Sequence, residues 1–246
     1  MTPIPRRSRL IVALDVPTAD EARALVERIG DAAVFYKIGL ELAMAGGYFE
    51  LLEWLVKRGN QVFVDLKFFD IPETVARAVA ALRGRGVTFA TVHGNQAMME
   101  AAGKAKGEVR ILAVTALTSL DRGDLDDLGF SCDVERLVLS RARRALEAGC
   151  DGVISSGLEA PRLKAQFKDK LLVVTPGIRP VENRPETENS QKQDQKRTVD
   201  VAQAFANGAD YIVVGRPIRD AADPRAAALA IQATIAGVFA ARGNAA

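Results

Sequence analysis

Eight short apolar runs, rich in Val, Ile and Phe and separated by longer stretches of helical period, constrain this chain more than any other feature. They are Leu10 to Leu14, Val34 to Ile38, Gln61 to Leu66, Thr88 to Val92, Arg110 to Val114, Gly152 to Ser155, Leu171 to Thr175 and Tyr211 to Val214. Strands alternating with helices imply successive βα units on a parallel sheet. Eight is the number that closes such a sheet into a TIM barrel. The expected fold class is therefore α/β, a single-domain (β/α)8 barrel, and the 246 residues suit one such unit. No linker divides the chain, so residues 1–8 are expected to form a short N-terminal tail and 9–246 the barrel domain.

Local signals place the helices. Thr18 and Glu21 are spaced as a capping box, Ala22, Leu25, Val26 and Ile29 follow as an apolar stripe, and Gly30 supplies the stop. Pro72 suits a first helical position, with Val75, Ala78, Val79 and Leu82 on one face ahead of Gly84 and Gly86. The last helix, from about Asp223 to Ala241, is Ala-rich and apolar enough to need a covering neighbour. The stretch 180–197 breaks this rhythm, being polar and nearly devoid of large apolar side chains. A long loop after strand seven, where barrels commonly bind phosphate, is expected to be a lid, with simple disorder as the alternative reading.

Composition narrows the class of function. The 33 basic and 31 acidic side chains leave a formal charge of +2, so no overall field gathers nucleic acid or an anionic membrane, and any anion site must be local. No apolar run approaches a membrane span, and Leu10 to Leu14 is too short for a signal h-region. Cys132 and Cys150 lack metal-type spacing and are expected to be free thiols, which makes the cytoplasm the natural compartment.

Chemistry concentrates in DLKFFDIPET, Asp65 to Thr74, at the end of strand three. Asp65 and Lys67 are two residues apart, so a persisting strand projects both from one face and sets acid beside base. A bare pair of this kind would read as a surface salt bridge. Asp15 after the first run and Lys37 at the end of the second change that reading, because a barrel gathers three adjacent strand ends around one mouth.

These segments resemble the orotidine 5′-phosphate decarboxylase family, whose hallmark is DxKxxDIPxT with an upstream lysine in a KxG turn. The resemblance extends through LDVP, KIGLEL, TVHG, TALTS, TPGIRP and VVGRPI, in order along nearly the whole chain. Phe69 and Glu73 stand where many relatives have His and Asn, so no role of those side chains is carried over. The resemblance implies decarboxylation of orotidine 5′-monophosphate to uridine 5′-monophosphate and CO2, the last step of de novo UMP synthesis, without cofactor or metal. It further implies that Lys37, Asp65, Lys67 and Asp70 form an alternating network, with Lys67 the proton donor and Asp70 arriving from the partner of a homodimer with shared sites. Thr74 would cross with it.

Loss of CO2 leaves a vinylic carbanion that no cofactor delocalises, so preorganised positive charge must stabilise it, and an ammonium can then supply the proton. Asp65 is given mainly an organising role. A remote phosphate needs its own anchor: Gly215 lets backbone approach it and the Arg216 guanidinium can grip two oxygens. By resemblance Arg179 and Gln195 reach the phosphate side, with Gln191 and Gln193 competing for the latter place, while Asp15 and Lys37 hold ribose hydroxyls and Thr118 contacts the pyrimidine. His93, the only histidine, is read as a rim side chain satisfied by a backbone hydrogen bond rather than as a base. Lysines interleaved with the aspartates would repel Mg2+. Two alternatives remain: a metal-dependent sugar-phosphate decarboxylase or aldolase of the same superfamily, and a phosphate-binding barrel without catalysis.

Overall fold

The computed structural model describes residues 3–179 and 198–243. Eight parallel strands close into a barrel in chain order: β1 Leu10–Ala13, β2 Phe35–Gly39, β3 Gln61–Phe68, β4 Val87–His93, β5 Arg110–Val114, β6 Gly152–Ile154, β7 Leu172–Thr175 and β8 Tyr211–Val214. Every expected run overlaps one of them, with β2 and β4 reaching a residue beyond their runs and β3 continuing past Leu66 to Phe68. The outer ring runs α1 Ala19–Ile29, α2 Leu40–Ala45, α3 Tyr48–Lys57, α4 Pro72–Ala80, α5 Gln96–Ala105, α6 Arg122–Asp127, α7 Val134–Glu147, α8 Ala160–Phe167, α9 Val201–Ala206, α10 Arg216–Arg219 and α11 Pro224–Gly243. Ahead of β1, Arg6–Arg9 form a 3-10 turn and Ile4 packs against the barrel interior.

The stripe of α1 is buried as expected, and Gly30 ends the helix at φ 58°, a left-handed value that glycine adopts without strain. Its start differs in one respect. The Thr18 hydroxyl accepts from the Glu21 amide at 3.2 Å but donates to the Glu21 carboxylate at 3.1 Å, so that carboxylate takes the hydroxyl proton and the capping box forms only by half. Pro72 opens α4 as expected, with Val75 and Val79 buried. Ala78 is only half-buried, and Leu82 is covered from the turn after the helix.

The expectation of no membrane-length apolar run needs correction. Residues Pro224–Ala241 of α11 have a mean hydropathy of 1.3 and are by length and composition able to cross a bilayer. Alanines account for this, since they raise hydropathy without large side chains. Here α11 packs on α1, α9 and α10 as the last helix of the ring, and Ala228, Ile231 and Ile235 are buried.

Two cores result. The larger lies between strands and helices; the smaller fills the barrel with Ile11, Ala13, Phe35, Phe63, Phe89, Leu112, Val114, Ile154, Leu172, Val174, Tyr211 and Val213. Phe89 meets Phe35 at 5.3 Å and Tyr211 at 5.1 Å between ring centroids, so aromatic packing plugs the interior. Ala13, Phe63, Val114, Ile154 and Val213 form the floor of a cavity above it. What the barrel offers chemically must therefore happen at the carboxyl ends of its strands.

Candidate active site

A cavity of about 620 Å³ opens at that end, within the range that holds a small ligand. Asp15, Lys37, Asp65, Lys67, Thr118, Arg179, Gly215 and Arg216 all line it, as do Ser119 and Arg219. Its wall thus carries five basic side chains against two carboxylates, a local anion site in a nearly neutral chain.

The charged groups form a continuous chain. Lys37 Nζ stands 2.8 Å from Asp15 Oδ1 and 3.5 Å from Asp65 Oδ2, and Lys67 Nζ lies 3.0 Å from both Asp65 oxygens. Signs alternate along Asp15, Lys37, Asp65 and Lys67. Lys37 is 8% exposed and Asp65 9%. Burial pulls the Lys37 ammonium down, but Asp65 and Asp15 outweigh it and leave the group above its ordinary value. Burial pushes the Asp65 carboxyl up, yet Lys37, Lys67 and the Thr91 hydroxyl hold it below the usual carboxylate range. Both groups therefore stay charged where an unpaired one would neutralise. Glycine at 39 protects this contact, since a Cβ there would stand 3.2 Å from Lys37 Nζ.

Asp65 and Lys67 do meet, but not by strand alternation. Lys67 has φ 48°, in the left-handed region a lysine rarely adopts, and the β3–β4 register jumps between Val64 and Phe68. The bulge turns the Lys67 side chain back over Asp65. Its amide donates to Thr91 Oγ1 at 2.9 Å, and that hydroxyl donates to Asp65 Oδ1 at 2.9 Å. Thr91, on β4 and fully buried, escaped the sequence reading because a threonine inside a strand reads as an ordinary β-former. Arg219 escaped it too. Its guanidinium donates to the Asp15 carbonyl at 2.6 Å and ties the end of α10 to the segment just after β1; the second arginine of RPIR was the available signal.

Other expected residues stand elsewhere. Asp70 and Thr74 are exposed and outside this chain's cavity, and the Asp70 carboxylate accepts from the Ile71 amide at 2.6 Å. Gln195 and the proposed lid at 180–197 lie outside the described residues. The expectation for His93 needs correction at one atom: Nδ1 is buried without a hydrogen-bond partner, and the ring packs on Phe69 at 4.6 Å between centroids. Burial, aided by Arg141, holds its pKa below the ordinary value, which favours the uncharged ring.

Comparisons with known proteins agree with this geometry. A family model described as Orotidine 5'-phosphate decarboxylase / HUMPS family matches residues 8–231. A Methylococcus capsulatus protein named orotidine 5'-phosphate decarboxylase is 67% identical over 239 residues, covering 97% of this chain and 96% of its own. A Stenotrophomonas maltophilia protein of the same name is 51% identical over 244 residues, 98% of each chain. The crystal structure of orotidine 5'-phosphate decarboxylase from Lactobacillus acidophilus superimposes with a TM-score of 0.80 at 34% identity, covering 93% of this chain and 99% of that one. Carrying an alternating carboxylate and ammonium chain at the mouth of an eight-stranded barrel, and matched across nearly its full length, this chain belongs to the orotidine 5'-phosphate decarboxylase / HUMPS family.

Proposed function

We propose that the protein decarboxylates orotidine 5′-monophosphate to uridine 5′-monophosphate and CO2 without a cofactor. The observation that carries this reading is the Asp15, Lys37, Asp65, Lys67 chain in a cavity that Arg179 and Arg216 also line. Such a wall suits a substrate with a reacting carboxylate at one end and a phosphate at the other. The bond from C6 to the carboxylate breaks, its electron pair stays on C6, and CO2 leaves. The Lys67 ammonium stabilises that carbanion and gives it a proton, which solvent later restores. Asp65 holds the two lysines, Lys37 and Asp15 bind ribose hydroxyls, and Thr118 contacts the pyrimidine. Arg216, Arg179 and the open backbone at Gly215 hold the phosphate, whose binding energy orients the reacting end.

Divalent metal is disfavoured on chemical grounds: both Asp65 oxygens already face ammonium groups, and an added cation would meet their charge. The working unit is a homodimer with shared sites. Asp70 faces away from its own cavity between Phe69, 60% exposed, and Ile71, 66% exposed, and Met44 after the neighbouring strand is 81% exposed. A two-fold partner would cover these apolar side chains and receive Asp70 and Thr74 in its own site. The cytoplasm is the compartment that suits the free thiols of Cys132 and Cys150.

Purified protein with EDTA present should consume orotidine 5′-monophosphate, followed as loss of its absorbance and gain of the uridine product. No turnover by folded protein would overturn the assignment, and turnover abolished by EDTA would favour a metal-dependent relative.

A further inference from the structure

The β3–β4 seam is the irregular part of an otherwise regular barrel. Between the pairs Val64 with Ala90 and Phe68 with Val92, four residues of β3 advance against two of β4, so Asp65, Leu66 and Lys67 bulge opposite Thr91 alone. Bulges are rare in parallel sheets and collect beside active sites. A bulge strands backbone amides that the ladder would have paired, and a buried amide left without a partner is costly. Here the Lys67 amide is rescued by the Thr91 side chain at 2.9 Å. A threonine hydroxyl that accepts one hydrogen bond still has a proton to give, and this one is given to Asp65 Oδ1 at 2.9 Å.

We infer that Thr91 is a positioning residue for the decarboxylation: its hydroxyl holds the left-handed turn that presents the Lys67 ammonium and fixes the Asp65 carboxylate that holds that ammonium. The inference rests on the proposed role of Lys67. Thr91 does not line the cavity and acts only through its two partners. Among the described residues Thr91 is the side chain that takes the Lys67 amide, and backbone at φ 48° costs energy for a residue with a Cβ, so loss of the hydroxyl frees the turn to relax. Relaxation swings the ammonium off its place, and a displacement of about 1 Å in a catalytic group costs on the order of a hundredfold. The phosphate anchors follow β7 and β8, away from Thr91, and of the ribose anchors Lys37 keeps its 2.8 Å contact with Asp15 when Asp65 loses the threonine hydroxyl.

The test is Thr91→Val, which keeps the shape and removes the hydroxyl, with Thr91→Ala in reserve should the methyl against Asp65 prevent folding. Thr91→Ser and Lys67→Ala are measured alongside. Turnover per folded site should fall by about tenfold or more in the valine or alanine variant, while KM and the affinity for uridine 5′-monophosphate stay within about threefold. The serine variant, which restores the hydroxyl, should recover kcat to within about threefold of the parent. A hydroxyl-free variant with parental kcat, a rise in KM as large as the fall in kcat, or a serine variant no better than alanine would each overturn the inference. If Lys67→Ala also kept normal turnover, the reading of the site itself would fall; if it is inactive while Thr91→Val is normal, only the role of Thr91 falls.

Discussion

Lys37 can be buried inside a strand only because carboxylates replace the water its ammonium loses, with Asp15 at 2.8 Å and Asp65 at 3.5 Å. Such a network is preorganised before substrate arrives, so it does not reorganise as charge develops on the reacting carbon. Division of labour around the cavity gives a prediction at single residues. Lys67→Ala removes the proton donor and should lower kcat by roughly a thousandfold or more, with uridine 5′-monophosphate still bound. Arg216→Ala removes a charge-assisted grip on a distant phosphate and should chiefly raise KM, by about a hundredfold. Steady-state kinetics and product titration separate the two; near-normal kcat in Lys67→Ala would exclude it as the donor. The lysines and aspartates were legible in the sequence because a charge placed at the end of an apolar run has nowhere to go but the strand-end rim. Thr91 was not legible, since its partners are a backbone amide and a carboxylate brought to it by a bulge that no spacing announces.

Elements were legible where they repeat a period and obscure where contact decides. All eight strands follow from apolar runs, yet α2 and α10 are too short, at 6 and 4 residues, to display a helical period. Aspartates placed just before β6 and β8 do unexpected work at the opposite rim. Asp151 accepts from the Ile111 amide and pairs with Lys106, while Asp210 accepts from the Val173 amide and pairs with Lys164. Each carboxylate pins its strand to the preceding one by replacing a ladder acceptor, leaving the catalytic rim free of that duty. Gly103 in α5 shows how contact can reverse a propensity rule. In an exposed helix interior, Gly→Ala gains about 1 kcal/mol, but a Cβ at 103 would stand 2.3 Å from the Ala148 carbonyl oxygen at the end of α7. Gly103→Ala should therefore destabilise the protein by about 2 kcal/mol as α5 is pushed off α7. Urea unfolding of the two proteins reads this as a lowered midpoint; an unchanged or raised midpoint would show that the helices yield without cost.

At the scale of the whole molecule, one barrel supplies a cavity that holds every expected contact among the described residues except Asp70 and Thr74, which the same short segment carries outward. Sequence spacing sets Asp70 three residues after Lys67, but the bulge and the turn into α4 decide that one faces inward and the other away. Whether Asp70 serves its own site or a partner's is thus a question about assembly, and subunit mixing answers it. Lys67→Ala and Asp70→Ala proteins, each nearly inactive alone, are allowed to exchange subunits by reversible dissociation. In a two-fold dimer that lends Asp70 across the interface, a mixed pair has one site carrying both lesions and one carrying neither. Random mixing makes roughly half the dimers mixed, and half of their sites intact, so activity should return to about a quarter of the parent's. If Asp70 served its own chain, every site in the mixture would keep one lesion and none would recover. Mass spectrometry of differently labelled subunits verifies that exchange took place, and exchange without recovered activity would exclude the shared site while leaving the chemistry of Lys67 untouched.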